Sequence, residues 1–120
     1  MTKMDRQQVE AVFELLPSSH YNPVFIVGDE NEVIEMLSHR SSNYIVLDVA
    51  KVDKAPTANY IIRELEVIES EPLLQEKLAD FLGSCILQGR QVVIVSKKGI
   101  SSMKLDGRLR SRVCSGVIIE

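Results

Sequence analysis

Short apolar runs alternate with longer amphipathic segments along this chain. Three runs, which begin at Val24, Ile45 and Val92, are rich in β-branched residues and fit strands that are buried on both faces. A last run, 117–119, predicts an edge strand. Because helical patterns separate the runs, the sequence predicts an α/β fold, a two-layer or three-layer sandwich with a mostly parallel sheet of about four strands and about five helices.

The predicted helices follow from apolar residues spaced three or four positions apart. The clearest stripe lies between Leu74 and Ile86, after a proline that suits a first turn and before Gly89, which suits a left-handed C-terminal cap. A similar stripe predicts that residues 1–17 contain a helix that packs outside the sheet.

A further helix is expected after Pro56. Ile61, Leu65 and Ile68 fall at helical spacing, and Thr57 stands where the N-terminal cap of such a helix would be. The sequence therefore predicts that Thr57 lies at the start of a helix.

Length and composition favour one folded domain over residues 1–120. The chain is 45% hydrophobic and 26% charged, which provides enough apolar surface for one core but not for two. It has no signal-peptide pattern and no apolar run of membrane-spanning length, and its two cysteines, Cys85 and Cys114, form no metal-binding pattern. A cytoplasmic protein that does not contact a membrane is therefore expected.

Charge is unevenly distributed along the chain. Residues 90–120 carry seven Lys or Arg against two acids, a net +5, whereas residues 1–89 carry seven against fifteen, a net −8. The basic segment fits either a solvated face balanced by acidic helices or a site for an anion or an acidic partner. Because the total charge is −3 and only six residues are Tyr or Phe, nucleic acid is not expected as a partner.

The chain contains no pattern that identifies an enzyme. Gly28 has no partner glycines for a dinucleotide fingerprint, and the phosphate-loop pattern GxxxxGK[ST] is absent from the sequence. Asp29 and Asp48, which follow predicted strands, fit a helix cap and a strand end rather than metal ligands. We expect no catalytic residue, no metal and no cofactor, and binding rather than bond chemistry.

Candidate binding residues lie in two loops, because ligands of open α/β sheets collect at the carboxyl ends of the strands. The loop after the Val92 strand offers cations, hydroxyls and flexible amides for an anion. Its candidates are Lys97, Lys98, Ser101 and Ser102. The loop after the Ile45 strand supplies Asp53, Thr57 and Asn59. A solvated turn is the alternative interpretation of the basic loop, and a simple helix cap is that of Thr57.

Residues 45–52, Ile-Val-Leu-Asp-Val-Ala-Lys-Val, resemble the strand and turn of STAS domains, the family of anti-sigma-factor antagonists and stressosome proteins. Residues 89–95 resemble the next strand of that family, which follows a helix ending in glycine and a basic residue. The resemblance runs from about Pro23 onward and implies a regulatory domain in which Thr57, at a helix N-terminus, is phosphorylated by a partner kinase. Pro56 departs from the family pattern, because an acidic residue commonly stands there.

Three functions follow from these observations. The first is a noncatalytic, STAS-like regulatory module that binds a protein partner and is switched by phosphorylation. The second is a small enzyme or sensor that binds a phosphorylated ligand at loop 96–102. The third is a self-assembling structural subunit, a homo-oligomer that pairs through the edge strand at 117–119. The sequence favours the first.

Overall fold

The part of the chain that the structure describes forms one sheet of five parallel strands. The computed structural model describes residues 4–40, 43–52 and 55–120. The strands are β1 Val24–Val27, β2 Tyr44–Asp48, β3 Asn59–Arg63, β4 Val92–Ser96 and β5 Val117–Ile119. The α-helices are α1 Arg6–Phe13, α2 Glu30–Arg40, α3 Pro72–Leu87 and α4 Gly107–Val113. Short 3₁₀ segments cover Val49–Lys51, Leu65–Ile68 and Ile100–Ser102.

The predicted α/β architecture with a parallel sheet is confirmed. Within the described residues it has five strands where about four were expected, and four α-helices where about five were expected. Val9 and Val33 bury α1 and α2 against one face of the sheet, and Leu82 and Leu109 bury α3 and α4 against the other. Because helices cover both faces, the interior strands are apolar on both sides, which is why they read as continuous apolar runs.

The strand order is β2-β3-β4-β1-β5, which makes β1 and β4 neighbours in the interior of the sheet. After β1 the chain crosses to β2 at one edge, and after β4 it crosses to β5 at the other edge. The first crossover passes β4 and the second passes β1, and ligands of open α/β sheets bind at the carboxyl ends of the strands. A ligand site is therefore expected at the carboxyl ends of interior strands such as β1 and β4.

Residues 59–63 form a strand rather than the predicted helix. β3 pairs in parallel with both β2 and β4. The helical spacing was misleading because Tyr60 to Ile62 is itself a continuous apolar run, as a strand buried on both faces requires. Thr57 therefore caps no helix, and its N–H instead donates to Tyr60 Oη at 3.0 Å.

The other helices agree with their sequence patterns. α3 ends before Gly89, whose φ of +69° is the left-handed value predicted for it, and Arg90 N–H closes the cap by donating to Cys85 O at 2.8 Å. Val9 and Phe13 are buried, so α1 packs on the sheet as expected. Among the described residues, no helix is long and apolar enough to span a membrane.

Candidate functional site

The carboxyl ends of β1 and β4 are joined by a hydrogen bond from Gly28 N–H to Ser96 O, at 3.0 Å. Only Asp29 separates Gly28 from the start of α2, and its Oδ1 accepts from Glu32 N at 2.9 Å, the helix cap that its position predicts. Met4 packs so closely that a Cβ added at Gly28 would lie 2.6 Å from its sulfur. The turn is therefore too short and too crowded for the glycine-rich loop that cradles phosphates in nucleotide-binding folds.

Carboxylates surround this turn. α2 begins with Glu30 and Glu32 in its first turn. Glu30 Oε1 accepts from Glu64 N at 3.2 Å, and Glu32 pairs with Arg6 at 2.6 Å. The donors and positive dipole of the α2 N-terminus, which would attract an anion, are thus matched by acids of the chain itself. A phosphate group at this point would meet negative charge.

Asp48 and Arg63, at the carboxyl ends of β2 and β3, neutralise each other. Arg63 Nε donates to Asp48 Oδ1 at 2.5 Å. This hydrogen bond holds the pKa of Asp48 below its ordinary value, and the carboxylate in turn raises the pKa of Arg63. Both groups stay charged around neutral pH, so the pair stabilises the sheet edge and does not transfer protons.

The loop after β4 places four of the predicted residues together at this edge, and all four are exposed. They are Lys97, Lys98, Ser101 and Ser102. Their role in binding stays a prediction. The contacts of the loop, however, limit what it can bind.

Two backbone amides of this loop are occupied by acceptors from the chain. Lys98 N–H donates to Ser96 Oγ at 3.1 Å, and Ile100 N–H donates to Glu120 Oε1 at 2.9 Å. An anion would have to displace these acceptors before the amides could bind it. The side chains of the loop, rather than its backbone, are therefore what it can offer to a ligand.

Glu69 neutralises much of the positive charge beside the loop. One carboxylate oxygen accepts from Lys98 Nζ and the other from Lys104 N–H, each at 2.9 Å. The hydrogen bond from Lys98, followed by that from Lys104, lowers the pKa of Glu69. Lys98 is thus neutralised within the chain, whereas Lys97 forms no ion pair among the described residues.

The remaining predicted residues do not join this loop. Asn59 begins β3, at the end of the sheet where the strands start, and its Oδ1 accepts from Gln91 N at 2.9 Å. Thr57 precedes Asn59 in the chain. A strand of this length separates the amino ends of the strands from their carboxyl ends by roughly 16 Å. Asp53 lies outside the described residues. The structure therefore does not bring Thr57 and Asn59 together with Lys97.

α4 anchors the basic C-terminal segment. Asp106 caps the helix by accepting from Leu109 N at 2.8 Å. Arg110 donates to the backbone oxygens of Ile100 and Met103, at 2.8 and 2.7 Å, and so fixes the preceding loop. One of the three arginines of α4 is therefore structural.

The solvent side of α4 carries Arg108, Ser111 and Arg112, which helical spacing places next to one another. We call these three residues the α4 face. Arg108 pairs with Asp80 of α3, and both side chains are more than half exposed, so the pair exchanges readily with solvent. Ser111 is exposed.

Arg112 is held in place without a counter-ion. Its Nε is buried without an acceptor, and its guanidinium has no hydrogen-bond or ion-pair partner among the described residues. The guanidinium lies over Gly83 of α3, where an added Cβ would be 3.0 Å from its Cζ. Glycine inside a helix costs about 0.5–1 kcal/mol relative to alanine, and here it makes room for the arginine.

Sequence reasoning missed the α4 face. Its signal was present, because arginine occupies alternate positions at 108, 110 and 112. What the sequence could not reveal is that Gly83 lies under one of these arginines and an acid under another.

The other reactive groups are scattered. His20 and His39 are exposed on the surface. Cys85 is buried, which raises its pKa to about 12, whereas Cys114 is exposed at the end of α4. No group of three His, Cys, Asp or Glu side chains that could hold a metal occurs in the residues that the structure describes.

Solved structures of DNA replication proteins have a similar fold. The replication initiator DnaA bound to AMPPCP and single-stranded DNA superposes with a TM-score of 0.78 at 15% identity, covering 100% of this chain and 47% of that chain. Domain III of the Thermotoga maritima replication initiation protein DnaA gives 0.75 at 15% identity, covering 100% and 64%. A putative primosome component from Streptococcus pyogenes serotype M3 gives 0.63 at 12%, covering 94% and 75%. This chain spans about half the length of the first of these proteins. No family model and no curated protein matches the sequence.

These matches overturn the STAS resemblance and the regulatory function it implied. These three structures are of a replication initiator, a domain of such a protein and a putative primosome component, not of anti-sigma-factor antagonists. β3 also stands where the resemblance required a helix starting at Thr57. The expectation that nucleic acid is not a partner is wrong as well, because the same fold occurs in a protein solved with single-stranded DNA.

Proposed function

We propose that this chain is a DNA-replication module that binds single-stranded DNA through the α4 face and neither binds nor hydrolyses a nucleotide itself. One observation carries the proposal: Arg112 is held over Gly83 without a counter-ion, next to Arg108. The fold supports the link to replication, since its similar structures include an initiator bound to single-stranded DNA. A cytoplasmic location agrees with this role.

The α4 face has the chemistry that a phosphate backbone requires. A guanidinium binds phosphate oxygens with two parallel hydrogen bonds, and a partly buried one that already lacks water loses less on binding. Arg108 can exchange its exposed contact with Asp80 for a phosphate, and Ser111 adds a hydroxyl between the two cations. The face therefore has room for adjacent phosphates of one strand.

The sequence limits the kind of contact that the face can make. The chain has no Trp and only six Tyr or Phe, and no aromatic residue lies in residues 104–116. Without rings on which bases could stack, affinity depends on phosphates rather than on bases. Binding is therefore expected to be independent of sequence and strongly dependent on salt.

The absence of a nucleotide function is supported by the turn between β1 and α2. Its two residues, Gly28 and Asp29, are followed by Glu30 and Glu32 in the first turn of α2. Arg63 lies at the end of β3 and is engaged by Asp48. A fluorescent ATP analogue with magnesium should give no change in anisotropy with this protein, and saturable binding would contradict this half of the proposal.

The DNA half is tested by the anisotropy of a labelled oligothymidine at increasing salt. Replacing two phosphate contacts in R108Q/R112Q should lower affinity at least tenfold and reduce the slope of log affinity against log salt by about 1.4. The double variant R6Q/K51Q removes the same charge from exposed sites elsewhere and serves as the control. Equal losses in the two variants would mean that total charge, not the α4 face, drives binding.

The predicted basic loop is tested in the same assay. K97Q/K98Q removes two exposed cations at the strand ends, one of which is paired with Glu69. If the α4 face is the site, this variant should bind like the R6Q/K51Q control. If K97Q/K98Q abolishes binding while R108Q/R112Q does not, the site is the loop after β4.

A further inference from the structure

The outer edge of β2 is apolar and uncovered in the described residues. β2 pairs with β3 on one side and is the last strand of the sheet on the other. Ile45 is 49% exposed and Val46 is 42% exposed, and their side chains point to opposite faces of the sheet. Both faces of this edge therefore present β-branched apolar side chains to solvent.

The usual protection of an edge strand is missing here. Sheet edges are normally kept apart by charged residues, prolines, bulges or very short strands. Residues 44–47, Tyr-Ile-Val-Leu, contain none of these, and the one charged residue of this five-residue strand, Asp48, lies at its end and is paired with Arg63. The opposite edge is different, because β5 has only three residues and is followed by Glu120, whose carboxylate is bound to Ile100 N.

We propose that β2 pairs antiparallel with β2 of a second copy of this chain, about a two-fold axis through Val46. Val46 then lies beside Val46 of the other copy, and Ile45 lies beside Leu47. Side chains directly opposite in such a pair share a face of the sheet, so apolar groups cover one another on both faces. The two five-stranded sheets join into one.

The placement of charge favours a second copy in this orientation. The carboxylate of Asp48 and its partner Arg63 lie at one end of β2, while Tyr44 is at the other end. Antiparallel pairing sets Asp48 opposite Tyr44 and keeps the two carboxylates apart, whereas parallel pairing would set Asp48 next to Asp48. A two-fold axis also uses both β2 edges at once, so the assembly closes as a dimer.

Engineered cysteines test the register of the proposed dimer. In a C114S background, V46C should form an intermolecular disulfide rapidly under mild oxidation, because residues paired across an antiparallel two-fold axis have Cα atoms about 4.5–5.5 Å apart. I45C is the matched control, since Ile45 lies beside Leu47 of the other copy and not beside itself. Cross-linking that is no faster in V46C than in I45C overturns the proposal.

Sedimentation equilibrium tests the dimer itself. The wild-type chain should dimerise, V46K should be monomeric, and I118K, which places the same charge on the exposed side chain of β5, should remain dimeric. Circular dichroism establishes that each variant is folded. A wild-type monomer leaves the β2 edge to a strand of another protein and overturns the proposal. A dimer that survives V46K overturns it too, whether or not I118K dissociates.

Discussion

Two regions of the molecule carry positive charge in different ways. At the carboxyl ends of the strands, the side chain of Lys98 and the amides of Lys104 and Ile100 are each bound by a carboxylate of the chain. On the α4 face, Arg112 forms no ion pair among the described residues. The first region is where ligands usually bind in such sheets, and the second is on the outer side of a helix.

The position of a site in a fold therefore does not determine the chemistry of that site. The topology fixes where the strands end, but backbone donors at these ends are bound by carboxylates such as Asp29 and Glu30. A guanidinium without a counter-ion keeps its full capacity to attract an anion. Arg112 therefore retains this capacity on α4.

Giving Arg112 an internal acid should have the largest effect. G83D places a carboxylate next to the guanidinium and converts the α4 face to the balanced state of the strand ends, so affinity for oligothymidine should fall by about tenfold or more. G83N has nearly the same shape without the charge and should lose much less. If G83D and G83N bind equally, displacement of Arg112 rather than its neutralisation explains the loss.

Adding charge at the end of α4 should have a smaller effect. Iodoacetate should modify Cys114, which is exposed, and leave Cys85, which is buried with a pKa raised to about 12. One new carboxylate near Arg112 should weaken DNA binding about threefold at low salt. Iodoacetamide adds an uncharged group of similar size and should have little effect; mass spectrometry verifies single labelling. Loss of affinity with both reagents would indicate steric blocking.

Removing the acid at the strand ends should have a still smaller effect, of opposite sign. E69Q releases Lys98 from its ion pair, so DNA affinity should rise by about twofold. E71Q removes the same charge from a nearby exposed position whose side chain does not cap α3, and it is the control. An increase larger than the loss in R108Q/R112Q would reverse the comparison and make the strand ends the main site.

The pH dependence of stability reports the ion pairs at the carboxyl ends of the strands. It is expected to show the smallest effect of the four. The pKa values of Asp48 and Glu69 are lowered in the folded state by Arg63 and Lys98. Their contribution is present above the unfolded pKa of about 4 and is lost as the pH falls through the lower folded values. Urea unfolding of D48N/E69Q should therefore change less between pH 5 and pH 3 than that of the wild type. Parallel curves would contradict this assignment.

The fold was largely predictable from the sequence, and the exception has a physical cause. Strands β1, β2 and β4 and helix α3 were predicted because each has one unambiguous pattern, with α3 ended by Gly89. The pattern around β3 predicts a helix instead, because Ile61, Leu65 and Ile68 happen to have helical spacing. A strand buried on both faces has no alternation of its own, so only its pairing with β2 and β4 reveals it.

The candidate site was much less predictable. The loop of Lys97, Lys98, Ser101 and Ser102 follows β4, but its role in binding stays a prediction, and the sequence could not show that acids distant in the chain bind this loop. Glu69 and Glu120 reach it from either side. The same limitation hid the role of Gly83 beneath Arg112, because these residues are far apart in sequence and adjacent only in the fold.

Composition and local spacing were enough to establish three features of this protein. They are an α/β fold with a buried parallel sheet, a basic C-terminal segment and the absence of a phosphate-loop pattern. Which cations are neutralised, and which outer strand is exposed to solvent, could be seen only in the folded molecule. Both features depend on contacts between residues that are distant in sequence. These contacts determine whether a charged group has a counter-ion and whether a strand pairs with a neighbour or faces solvent.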